Sequence, residues 1–196
     1  MDDLRVTDCR RCPALVDSRR QIVNGVGPDA AELLFVGEGP GEQEDRTGEP
    51  FVGRSGDLLD EALADAGLDR ADVRITNCVR CRPPDNRDPT TEELANCRGY
   101  LEREIAAVDP ALIVTLGKVP SQHLLERDVA VTREAGDVVE VRIDGTARRL
   151  LICVHPAATL YDRSQRETFF DAVGEAAQIA GVERDDAGGQ SRLDEY

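Results

Sequence analysis

The chain predicts an α/β fold: a three-layer α/β/α sandwich with a mostly parallel central sheet, in one domain that carries a cysteine-bearing N-terminal segment. Three observations carry that prediction. Short apolar strands alternate with amphipathic helical patterns, the signature of strand–helix–strand units. Ala111 to Leu116 is an apolar run, as in a strand covered on both faces. The residues best suited to chemistry fall just past the ends of strands, where open α/β sheets bind ligands.

Leu33-Leu34-Phe35-Val36 is the first strand, running to Gly37, and it empties into a glycine-rich turn. A helix from about Ser55 to Ala66 places Leu58, Leu59, Ala62, Leu63 and Ala66 on one face. Residues 73–79 alternate as a second strand, with Cys78 pointing opposite to Val73, Ile75 and Val79. Arg82 to Pro89 is a proline-bearing loop. Thr90-x-x-Glu93 then forms a capping box that starts a helix to about Ala107. After the strand at 111–116 come a short helix near 119–126 and two strands near 137–143 and 147–154. Ser164-x-x-Glu167 reads as the cap of a last helix to about Ala180. Residues 1–182 thus make one domain, and 183–196 read as an acidic, disordered tail.

The segment after the first strand, GEGPGEQEDRTGEPFVG from Gly37 to Gly53, is the most informative in the chain. Glycines let a ligand approach the backbone closely, and the usual ligand is phosphate. Here Glu38, Glu42, Glu44, Asp45 and Glu49 accompany the glycines without a lysine. Such a loop would repel phosphate and suits an uncharged planar group with hydrogen-bonding edges. Asn77 to Cys81 after the second strand and His155-Pro156 after the last converge on the same end of the sheet.

Acidic residues number 39 against 24 basic ones, a net charge of −15, and Lys118 is the single lysine. Two readings of this surface stand: a protein that binds no polyanion, or one adapted to molar salt, where charge repulsion is screened. No apolar run is long enough to span a membrane, and the chain opens on acidic Met1-Asp2-Asp3, so the expectation is a soluble, cytoplasmic monomer.

Six cysteines without a secretion signal point to metal rather than disulfides. Cys9-x-x-Cys12 is a chelating pair. Cys78-x-x-Cys81 looks like its partner, although Cys78 belongs to the strand. Cys97 is another candidate ligand, with a competing place on the helical seam Leu94–Cys97–Leu101–Ile105. Cys153 reads as packing. Spacing alone admits a zinc ion or an iron–sulfur cluster.

Taken together, the Cys9/Cys12 pair, GEGPGEQEDRTGEPFVGRSGDLL, ITNCVRCRPPDNRDP with Cys97 downstream, and VHPAATL resemble the type-4 uracil-DNA glycosylases, from Cys9 to about Ala180. The composition then favours a halophilic archaeal source. The resemblance implies a four-iron, four-sulfur cluster on Cys9, Cys12, Cys81 and Cys97, and uracil-containing DNA, single- or double-stranded, as the partner. It places a uracil pocket on Gly37, Glu38, Gly39, Phe51, Asn77 and His155. The residue types suit the task. Phe51 offers a flat face to a base extruded from the duplex. The Asn77 carboxamide pairs with the N3–H and O4 edge of uracil, an edge that cytosine reverses. His155 would donate to uracil O2 as charge builds on the departing base. More active relatives carry an aspartate within GQDPY at the position of Gly39. The resemblance therefore implies catalysis by leaving-group stabilisation, with water oriented by backbone or by Glu38. Glu44 is expected near uracil C5, excluding thymine's methyl group, and Leu160 to wedge into the minor groove. Arg80, Arg82, Arg87 and Arg163 are candidate phosphate contacts, and His123 an ordinary helix residue. Two other readings remain: a superfamily member that traps its substrate covalently through a loop histidine, and a metal-stapled nucleotide-binding module without catalysis.

Overall fold

The computed structural model describes residues 4–160 and 162–182. The tail at 183–196 lies outside them, as do residues 1–3 and Tyr161. Five strands form one sheet in the order β2-β1-β3-β5-β4: β1 (Leu33–Gly37), β2 (Arg74–Asn77), β3 (Leu112–Leu116), β4 (Val138–Ile143) and β5 (Thr146–Cys153). All pairings are parallel except the β4–β5 hairpin, which turns at Asp144 (φ 47°) and Gly145 (φ 77°).

The strand order explains the layers. The chain leaves β1 for β2 on one side, then crosses back to β3 on the other. Right-handed crossovers in opposite directions put their helices on opposite faces. On one face α3 (Arg54–Asp65) and the last helix, α8 (Arg163–Ala180), bury Leu59, Leu63, Phe169 and Val173 against Leu33, Phe35, Ile75 and Val114. On the other, α4 (Thr91–Val108) and α5 (Lys118–Leu125) bury Leu101, Ile105 and Leu124 against Leu34, Val36, Ile113 and Ile152. The predicted sandwich is therefore the observed one. The strand order reverses between β1 and β3, the point at which such sheets open a crevice.

Four short helices complete the order: α1 (Pro13–Ser18), α2 (Glu42–Thr47), α6 (Val131–Glu134) and α7 (Pro156–Thr159). The sequence pattern reads α2 as loop because glycines bracket it. Gly41 serves as its N-cap and Gly48, at φ 85°, ends it in the left-handed region. Its first turn carries Glu42, Glu44 and Asp45, which favour a helix N-terminus. At α4 the predicted capping box forms, with Glu93 N–H donating to Thr90 Oγ1 at 3.2 Å and Thr90 N–H to Glu93 Oε2 at 2.8 Å. At α8 the expected cap on Ser164 is wrong by two residues. Asp162 is the N-cap, its Oδ1 accepting Ser164 N–H at 2.9 Å, because its carboxylate outcompetes the serine hydroxyl for the first free donors.

The N-terminal segment runs along the outer edge of β2. Val26 forms an antiparallel bridge with Ile75, and Val23 N–H donates to the Arg80 carbonyl at 2.8 Å. Asn24 pairs with the Val6 backbone in both directions, at 2.8 and 3.1 Å. Asp45, 1% exposed, accepts the Arg20 N–H at 2.8 Å. Beneath this strip Glu104, fully buried, joins Arg74 (2.8 Å), Arg80 (2.7 Å) and Thr76 (2.8 Å). Among the described residues no helix is long and apolar enough to cross a membrane.

Candidate active site

At the carboxyl end of the sheet a cavity of about 530 Å³ is lined by Glu38, Gly39, Glu44, Phe51, Asn77 and His155, with Pro40, Gly41, Ser55, Pro83, Asn86, Arg87 and Ala157 around them. The β1–β2 register sets Gly37 directly beside Asn77. A Cβ on Gly37 would sit 2.4 Å from the Phe51 ring and 2.5 Å from Asn77 Oδ1, so the ring and the carboxamide converge over a position that only glycine can fill. Gly39 touches Val79, whose Cγ2 would lie 2.7 Å from a Cβ there.

Phe51 reaches this place through a backbone that phenylalanine seldom adopts, with φ at 53°. Left-handed backbone at a bulky residue costs of the order of 1–3 kcal/mol and persists only where the surroundings enforce it. Its side chain is 5% exposed and joins the core on the α3–α8 face, while its ring centroid lies 5.9 Å from that of His155.

His155 leaves β5 and becomes the N-cap of α7, its Nδ1 accepting the Ala157 N–H at 3.1 Å. A neutral imidazole that accepts at Nδ1 carries its proton on Nε2. Burial holds the ring neutral by lowering its pKa to about 4. Gly117, at φ 105°, makes room for it, since a Cβ there would sit 3.1 Å from His155 Cβ. Glu38 shifts the other way. Burial, and then the charge of Asp88, raises its carboxyl to about 7. The cavity thus holds a neutral imidazole beside a carboxyl poised near neutrality.

Four of the five carboxylates of the glycine segment have separate tasks. Only Glu38 and Glu44 line the cavity. Glu44 Oε1 accepts the Val52 N–H at 3.1 Å, Glu42 pairs with Arg46 on the surface, and Asp45 moors the N-terminal segment. Leu160 is half-buried and closes α7, whereas its neighbour Thr159 is buried, its hydroxyl donating to the Pro156 carbonyl at 2.7 Å.

Two of the arginines singled out as phosphate contacts are otherwise committed. Arg80 is 3% exposed and ion-paired with Glu104, which excludes it from the surface. Arg87 forks onto Glu93 at 2.8 and 2.7 Å. Arg82 donates to Asn86 Oδ1 at 2.8 Å, and Arg163 is exposed in the first turn of α8. Pro83 and Asn86 escaped sequence reasoning. Their signal was the strand-end loop RPPDN, in which Asp85 and Asn86 take positive φ, as short polar side chains tolerate. His123 lies on α5 at a separate cavity of about 650 Å³, its Nε2 buried without a hydrogen-bond partner.

Cys9, Cys12, Cys81 and Cys97 surround one small cavity of about 20 Å³. Arg19 Nη1 donates to Cys81 Sγ at 2.9 Å, and Asn96 Nδ2 to Cys12 Sγ at 3.5 Å. Cys78 and Cys153 are fully buried in the two apolar cores and do not line that cavity. All six cysteines are free.

A family model described as the uracil DNA glycosylase superfamily matches residues 24–178. The chain is 43% identical to the type-4 uracil-DNA glycosylase of Archaeoglobus fulgidus, over 89% of this chain and 92% of that protein. It is 41% identical to the type-4 enzyme of Thermotoga maritima over 82% of each, and 40% identical to that of Pyrobaculum aerophilum over 84% of this chain and 85% of the relative. A parallel sheet with this crevice and a match of that extent make the chain a member of the uracil-DNA glycosylase superfamily. Within it, these most similar relatives are all of the type-4 branch.

Proposed function

We propose that the chain is a monofunctional DNA glycosylase of base excision repair, hydrolysing the bond between deoxyribose C1′ and N1 of a flipped-out uracil to leave an abasic site. The observation that carries the reading is the convergence of the Phe51 ring and the Asn77 carboxamide over Gly37, with His155 beside them. Phe51 stacks on the base, Asn77 reads its N3–H and O4 edge, and Glu44 limits the space at C5. His155, neutral with its proton on Nε2, donates to O2 as the C1′–N1 electron pair moves onto the uracil. Water adds to C1′, and the proton that it releases passes to the Glu38 carboxylate and then to solvent. Gly39 offers no carboxylate, so stabilisation of the leaving base carries much of the rate. One preorganised donor is worth about 2.7–4 kcal/mol. Leu160 fills the space that the base vacates.

Lyase chemistry on the abasic sugar needs an amine. The single lysine, Lys118, does not line the cavity, which supports a glycosylase without strand cleavage. Four cysteines around one cavity, two of them with side-chain donors on sulfur, suit a thiolate-bound metal centre. Cys9, Cys12, Cys81 and Cys97 would hold a four-iron, four-sulfur cluster, which would tie the N-terminal segment to the loop after β2 and to α4. A histidine that traps substrate is not supported, since His123 sits on α5 at the other cavity.

The test is release of uracil from single- and double-stranded oligonucleotides bearing one uracil, read as alkali-labile sites. Cleavage only after alkali, and none at thymine or cytosine, is expected. No release by folded, cluster-loaded protein would overturn the proposal.

A further inference from the structure

We propose that Arg70, outside the cavity, is a positioning residue that holds the Phe51 platform in its strained conformation; the inference rests on the glycosylase reading above. Two peptide planes flank Phe51. The plane before it ends in the Pro50 carbonyl, and rotation of that plane sets the φ of Phe51. The plane after it contains the Phe51 carbonyl and the Val52 N–H, and sets ψ. Each is held by a separate device. Glu44 accepts the Val52 N–H at 3.1 Å, and the Phe51 carbonyl packs on the backbone of Gly56, where a Cβ would lie 1.9 Å away. That fixes ψ. The other plane is held from behind by Arg70, in the 3-10 turn Arg70–Asp72 between α3 and β2, whose Nη2 donates to the Pro50 carbonyl.

The geometry of Arg70 is that of a forked clamp. Its Nη1 donates to Asp60 Oδ1 on α3 at 2.8 Å, so one planar guanidinium ties the Pro50 carbonyl to the helix that packs beneath it. Its side chain is 26% exposed and absent from the cavity lining, so it acts on the base only through Phe51. A lysine can keep the charge facing Asp60 but has no second donor in a fixed fork. Arg70→Lys therefore separates the two contacts.

The experiment compares wild type, Arg70→Lys, Arg70→Ala, Asp60→Ala and Phe51→Ala, with each Arg70 variant also placed in the Phe51→Ala background. Three quantities are read: single-turnover uracil release, inhibition by free uracil, and Tm. Arg70→Lys is expected to keep Tm near wild type while slowing release and weakening uracil inhibition by about tenfold each, equivalent to about 1.4 kcal/mol. Asp60→Ala, which removes the anchor on α3 but keeps the donor to Pro50, should slow release and weaken inhibition less than Arg70→Lys does. In the Phe51→Ala background the Arg70 substitutions should cost nothing further, because residues that act through one another are not additive. Wild-type uracil release with unchanged kinetics in Arg70→Lys would overturn the inference, as would full additivity with Phe51→Ala. A wild type that releases no uracil would instead overturn the glycosylase reading itself.

Discussion

Replacing Glu38 by glutamine removes one titratable group from the cavity while nearly preserving its volume, and the effect on stability has a calculable sign. Burial, and then Asp88, raises the Glu38 carboxyl from 4.5 to about 7. Between those values the folded protein binds a proton that the unfolded chain has released, and stability falls with pH wherever the folded state holds more protons. Wild type should thus lose stability relative to Glu38→Gln as pH rises from about 4.5 to about 7, and no more above that. The rise in pKa corresponds to about 3 kcal/mol at about 1.4 kcal/mol per pH unit. Glu38 is only partly buried, and solvent screening reduces this to the order of 1–2 kcal/mol. For a chain of this length that is a Tm difference of about 2–8 °C. His155, lowered from 6.5 to about 4 by burial, makes stability rise with pH below about 6.5, but both proteins carry it and it cancels in their difference. Thermal unfolding of both proteins across the window reads the difference directly. The same proton must leave before Glu38 can accept one from water, so single-turnover release by wild type should climb through about pH 7 while that of Glu38→Gln stays low and flat. Parallel Tm curves for the two proteins would refute the burial argument, and a wild-type rate indifferent to pH would refute the role of Glu38 as acceptor.

Gly37→Ala should push the Phe51 ring and the Asn77 carboxamide apart, costing about 1–3 kcal/mol by overpacking and at least about 10²-fold in uracil release; Tm and single-turnover rates check both. Glu104→Ala leaves buried Arg80 without its carboxylate and Arg74 with only Asp29, at 3.6 Å, a loss of about 3–5 kcal/mol that thermal melts should show as a fall of roughly 10 °C. Cys97→Ser should abolish the broad visible absorption of an iron–sulfur centre and lower Tm, whereas Cys153→Ser should leave the absorption intact. If the acidic surface is an adaptation to molar salt, DNA binding should decline with KCl less steeply than the linear log–log loss of an ordinary phosphate-contacting protein. A conventional slope, with no activity in molar KCl, would contradict it.

What could be read from residue order was whatever depends on local pattern. Strand ends and the capping box at Thr90 follow from near neighbours, and Gly37, Asn77 and His155 were singled out because each sits where a strand stops. Two errors have a common cause. Arg80 looked like a surface cation because Glu104, its partner, lies 24 positions away on another element. Asp45 looked like part of the pocket's charge because its hydrogen bonds run back to Arg20 and Gln21. Burial of a charge is decided by a distant partner, and no window along the chain contains both. The backbone of Phe51 was hidden for a similar reason. Nothing in PFVG announces a positive φ at phenylalanine; the anchors at Glu44, Gly56 and Arg70 impose it.

The strip of chain along β2 has a consequence for how the protein is made. The partners of residues 6 to 26 all lie further along the chain, at Asp45, Ile75 and Arg80, and Cys9 and Cys12 share their cavity with Cys97. Each of these contacts closes a loop, 25 positions long between Arg20 and Asp45 and longer to Ile75, Arg80 and Cys97. The strip therefore docks only on elements that follow it in the chain. It is tied through Asp45 to α2, the helix that carries Glu44 into the cavity, so the wall of the pocket is complete only once the amino-terminal strip has docked.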